Sequence, residues 1–148
     1  MSYTEKIGNK LNELLEKNYD AEAGYKQAAD QVGNNSLKEY FNARAKNRYD
    51  FGHQLKAEMK TFGVEPDKGT SLKGDAHRTW INLKSTFTSD KDEAVLEETI
   101  RGEKSFIDEY DEVINNENLP ASTKNILVSQ RNSVVDALET ARAFEMMA

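Results

Sequence analysis

Four polar side chains fall inside the apolar stripes of four amphipathic stretches, one on each: Glu22, Arg48, Glu103 and Gln130. Charged groups are seldom buried unless they are paired or hold a metal ion. Carboxylates facing each other across an apolar interior can bridge two metals. A guanidinium placed among them can neutralise them instead. Arg48 brings five donors, Glu22 and Glu103 bring acceptor oxygens, and Gln130 can both donate and accept. Tyr25 or Tyr110 can cap leftover lone pairs. Two acids and one base leave a charge of −1, which Arg44, one turn before Arg48, balances if its head reaches the layer. Otherwise a water or a shared proton is required. The reading adopted is a self-neutralised buried polar layer. Spacing alone leaves open whether Glu22 or its neighbour Ala21 faces inward, and the part played by Arg44.

Four long segments must carry these residues. Ser2 and Glu5 have capping-box spacing and open the first. Ile7, Leu11, Leu14, Leu15, Tyr25, Ala28, Ala29 and Val32 follow a helical period, and Gly33 is the expected left-handed stop. Ser36 and Glu39 form a second capping box. Leu37, Tyr40, Phe41, Ala45, Phe51, Leu55, Met59 and Phe62 line the second segment, which Gly63 ends and Val64 covers. Residues 63–89 differ in kind, with Gly63, Pro66, Gly69 and Gly74 followed by a compact patch from Asp75 to Phe87. Antiparallel helices join through about 2–8 residues, so this stretch reads as a crossover containing a short helix. The third segment starts near Ser89, with Asp90, Asp92 and Glu93 favouring its N-terminal dipole. Its stripe runs through Val95, Leu96, Thr99, Phe106, Ile107, Tyr110, Val113 and Ile114. After a short turn, Pro120 suits the first position of the fourth, lined by Ile126, Leu127, Val134, Ala137, Leu138, Ala141 and Phe144. The expected fold is all-α, a four-helix bundle with one long crossover between helices 2 and 3, in a single domain over residues 1–148.

That architecture invites a test for a di-iron centre. Di-iron bundles place a Glu on each of two helices and Glu-x-x-His on each of the other two. The chain has two histidines. His77 lies in the crossover. His53 completes Asp50-x-x-His53, yet it sits about 200° from Phe51, and so points outward, by the helical period. Asp136-x-x-Glu139 on the fourth segment lacks histidine and misses the line of Val134 and Leu138. Arg48 takes an inward position that a ligand would need, and a guanidinium repels a divalent cation. No metal or other cofactor is therefore expected. The alternative is iron held by Glu22 and Glu103, with iron-handling or oxidase activity.

Other chemistry is thinly supported. There is no cysteine, which excludes disulfides, thiolate metal sites and a cysteine nucleophile. No G-x-S-x-G elbow, P-loop or dinucleotide fingerprint occurs. A net charge of −6 with interspersed signs offers no nucleic-acid footprint. No apolar run reaches the ~18 residues of a membrane span, and residues 1–6 lack a signal-peptide layout. The expected setting is the cytoplasm.

The run His77-Arg78-Thr79-Trp80-Ile81-Asn82-Leu83-Lys84-Ser85 is distinctive. With Arg101-Gly102-Glu103 downstream and Asp20 to Tyr25 upstream, it resembles an uncharacterised bacterial family of ferritin-like four-helix-bundle proteins, a domain of unknown function. The resemblance implies the ferritin-like bundle, a bacterial source and a cytoplasmic setting, and no established activity. The wider superfamily includes rubrerythrins and stress-linked small bundles. Gly102-Glu103, with Tyr110 seven residues on, looks like the helix-three ligand region of rubrerythrin-type bundles. Only Glu103, and less closely Glu22, carry over as ligand-like positions, since the matching Glu-x-x-His motifs are absent.

The residues themselves suggest that Trp80, Ile81 and Leu83 dock a short helix onto the bundle. His77, Arg78 and Trp80 then form a candidate contact patch. The functional expectation is a non-enzymatic bundle, associated with bacterial stress, acting through protein contacts as a homodimer or with another protein.

Overall fold

The computed structural model describes residues 2–66 and 91–147. Four helices carry them: α1 Tyr3–Gln31, α2 Asn35–Thr61, α3 Lys91–Asn116 and α4 Ala121–Met147. No strand occurs among the described residues. α1 packs on α2 and α3 on α4. α1 also meets α3, and α2 meets α4, so α2 and α3 face each other across a diagonal.

Local chemistry sets the ends. Ser2 caps α1, its hydroxyl accepting from the Glu5 amide at 3.2 Å. Gly33 does not adopt the expected left-handed stop: Val32 closes α1 in extended geometry, and among described glycines only Gly63 has a positive φ, at 71°. Lys38 reaches back to satisfy the Ala29 carbonyl at 2.9 Å, which serves the end of α1 without a glycine turn. Nor does Ser36 cap α2. Asn34 does so, accepting from the Leu37 amide at 3.0 Å, because its carboxamide oxygen stands one turn earlier. Gly63 behaves as expected. Its amide meets the Lys60 carbonyl and the Val64 amide meets Met59, the paired bonds of a Schellman cap. Pro120 stands one residue ahead of α4, its carbonyl accepting from Lys124 at 2.9 Å.

Two close approaches give the bundle its topology. A Cβ added at Gly8 would lie 2.2 Å from Val64 Cγ2, so the chain leaving α2 presses directly on the start of α1. At the other end, the Asp92 carboxylate accepts from the Gly33 and Asn34 amides at 2.9 and 3.0 Å. The end of α2 and the start of α3 therefore stand at opposite ends of helices that run roughly 40 Å at 1.5 Å per residue. The short helix expected in the crossover, and the patch of His77, Arg78 and Trp80, fall on residues outside the described ones.

The predicted stripes form the core. Tyr25, Ala28, Leu37, Phe41, Val95, Leu96, Leu138 and Ala141 belong to one cluster. Ile7, Leu11, Leu15, Leu55, Met59, Phe106, Tyr110 and Leu127 belong to a second. Each fully buried Leu or Ile contributes about 1.5–3 kcal/mol. Arg48, Glu103, Asn18 and Gln130 are buried among these apolar residues.

Candidate functional site

Arg48 and Glu103 project from the diagonal helices α2 and α3 and meet in the bundle interior. Arg48 Nη2 donates to Glu103 Oε1 at 2.7 Å, with side chains 2% and 0% exposed. Aromatic rings surround the guanidinium. Its carbon lies 4.2 Å from the Phe106 centroid, 5.6 Å from Phe51 and 5.7 Å from Tyr25. Such faces attract a cation electrostatically, more strongly once water is excluded.

The pair is incompletely satisfied. Among the described residues, Glu103 Oε2 and Arg48 Nε make no hydrogen bond. Burial pushes the Glu103 carboxyl well above its ordinary value of 4.5. The guanidinium contact opposes that rise, but it engages one oxygen only, so the upward direction stands. Burial likewise draws Arg48 down to about 10, against the opposing influence of the Tyr110 and Tyr40 phenols.

Gln130 is buried, as its stripe position predicts, but it serves a different arrangement. Asn18 Nδ2 donates to the Tyr110 hydroxyl at 3.0 Å, and that hydroxyl donates to Gln130 Oε1 at 2.6 Å. Gln130 Nε2 then donates to Gln54 Oε1 at 2.8 Å and to the Phe51 carbonyl at 3.3 Å. One uncharged relay thus touches all four helices. Burial raises the Tyr110 phenol, which keeps it a neutral donor. Tyr110 stacks on Phe106 at 4.8 Å, and Phe106 is also the nearest ring to Arg48, so the relay and the ion pair share a wall.

Glu22 is not a member of the polar layer. It is part-exposed and binds Lys26, one turn on, at 2.9 Å. Ala21 takes the inward place and is fully buried. The reason is phase: Ala21, Tyr25 and Ala28 line up at i, i+4, i+7, and position 22 is turned 100° from that line. This correction also removes the surplus charge, because Arg48 and Glu103 balance one to one. Arg44 does not join them either. Its guanidinium lies over the Tyr40 ring at 5.6 Å. Tyr40 donates to the Ala137 carbonyl at 2.6 Å, and burial pushes its phenol up to about 12.

Asn18 and Gln54 were missed in the sequence. Asn18 was readable, since it continues the line of Leu11 and Leu14 at i+7 and i+4. Gln54 offered no signal. It lies on the exposed side of α2 and is drawn in by its bond to Gln130.

The architecture calls for iron ligands in the bundle interior, and the described residues do not supply them. Among the described residues, no three of His, Cys, Asp or Glu gather to hold a metal ion. Glu103 brings one carboxylate to the interior, and Arg48 stands on it. His53 points outward, against the Tyr49 ring at 4.5 Å, and Asp50, Asp136 and Glu139 are exposed.

The helix order, the diagonal pair and the long connection define a ferritin-like four-helix bundle. Solved structures agree. A point mutant of Dps1 from Mycobacterium smegmatis superposes with a TM-score of 0.81 at 18% identity, over 98% of this chain and 99% of that one. An N-terminal deletion mutant of Dps from the same organism gives 0.81 at 18% identity, over 97% of each chain. A tetragonal crystal form of that Dps gives 0.81 at 17% identity, over 96% of this chain and 86% of that one. At such identity the likeness carries the fold. The chain belongs to the family described as Domain of unknown function (DUF2383), which matches residues 6–116. No curated protein matches the sequence. Among the described residues, no helix is long and apolar enough to cross a membrane.

Proposed function

We propose that this protein is a non-enzymatic helical bundle of the bacterial cytoplasm, associated with stress, that acts through protein contacts as a homodimer or with another protein. One observation carries the non-enzymatic reading: the interior carboxylate of α3 is held by a guanidinium inside an aromatic box. A fixed cation there competes with any metal for the same oxygen. The bacterial and cytoplasmic setting rests on resemblance to the uncharacterised family, and the stress association on resemblance to the wider superfamily.

Elemental analysis of natively purified protein, followed by ferrous titration of the same sample, tests the reading. No stoichiometric metal and no saturable iron uptake are expected. Two irons per chain would overturn it and put iron handling or oxidation in its place. Light scattering coupled to size exclusion reads the contact element, since a homodimer doubles the 16.8 kDa chain mass.

A further inference from the structure

On the face of the bundle away from the ion pair, α1 and α2 leave a cleft of about 280 Å³ between their outer sides. Tyr19 stands on one wall, and Tyr49 and His53 stand on the other. Tyr49 is 51% exposed, and it meets His53 edge-on at 4.5 Å. Lys56 Nζ lies 5.2 Å from the Tyr19 centroid. It pairs with no carboxylate among the described residues, whereas nearby Lys26 is neutralised by Glu22. Among the described residues the cleft thus carries one positive charge, that of Lys56, with no carboxylate against it, among aromatic faces.

Its lining includes Gly52, a buried residue inside α2. A glycine there weakens the helix relative to alanine. Packing within the chain does not ask for it: an added Cβ would meet Leu15 Cδ1 at 3.5 Å and Tyr19 Cε1 at 3.9 Å, both ordinary contacts. A methyl there would stand beside the Tyr19 ring, on a surface that lines the cleft. We propose that this cleft binds a planar aromatic anion, its ring against Tyr19 and Tyr49 and its negative group at Lys56. Flat rings suit the aromatic walls, and the Lys56 ammonium, without a carboxylate among the described residues, selects the charge.

Titration of the folded full-length chain with anilinonaphthalene sulfonate, a planar aromatic anion, tests the assignment. Saturable one-to-one binding is expected. Lys56→Gln should weaken it about tenfold, the effect of losing one charge-assisted contact. Gly52→Ala should weaken it by a similar factor while melting no lower than the parent, which separates a filled cleft from a damaged fold. Uncharged phenylnaphthylamine should bind the parent no better than it binds Lys56→Gln. Absence of saturable binding, or undiminished binding to Gly52→Ala, would overturn the proposal. So would a parent dimer that Tyr49→Ala dissociates, because the face would then belong to a second copy of the chain.

Discussion

The Arg48–Glu103 pair and the Asn18–Tyr110–Gln130–Gln54 relay share one interior and bury polar atoms by different means. The pair uses full charges. It gains a 2.7 Å charge-assisted bond and three aromatic faces, yet leaves Glu103 Oε2 bare among the described residues. The relay uses neutral groups and passes donors head to tail through four helices. Desolvation of an ion costs several kcal/mol, and desolvation of an amide costs far less. The relay is therefore the better source of stability.

The contrast is broken most sharply by Arg48→Ala, which strands a buried carboxylate. A loss of about 3–5 kcal/mol is expected in urea melts followed by circular dichroism. A loss below about 1 kcal/mol would mean that Glu103 reaches water. Replacing both Arg48 and Glu103 by leucine should undo the damage, giving stability near the parent's or up to about 1–4 kcal/mol above it. Gln130→Ala should cost about 1–3 kcal/mol, because the Tyr110 hydroxyl and the Gln54 side chain lose their partner. The smallest effect is in pH. Burial raises the Glu103 carboxyl, so the folded state holds its proton more tightly than the unfolded chain does. Its contribution is full below 4.5 and is lost as pH rises through the folded value. The stability of the parent relative to Glu103→Gln should therefore fall from acid to neutral pH. A flat difference would show that Arg48 fully compensates the burial.

Apolar periodicity made most of this fold legible. The stripes from Ile7 to Ala141 needed only helical spacing, and the long gap before Ser89 announced the connection between opposite bundle ends. The polar layer was half legible. Arg48, Glu103 and Gln130 stand on their stripes, so their burial followed from phase. Glu22 lies one residue off its line, and only the packing of Ala21 decides which of the two turns inward. Two caps were misplaced for a related reason: Asn34 and Ser36 are both good caps, and the choice depends on where the turn after Val32 is held. That information sits in Asp92, far along the chain. The division of one polar layer into a pair and a relay depends on side-chain reach across diagonals, which spacing along a helix does not encode.

The grip of Asp92 on the amides of Gly33 and Asn34 makes the first turn of the bundle dependent on a residue 58 positions later than Asn34. Closing so distant a contact exacts chain entropy before any reward arrives. The two amides should therefore report when the distant halves of the chain meet. In pulse-labelled hydrogen exchange they should stay open while the α1–α2 hairpin is already protected, and shut only when the second half of the chain settles against the first.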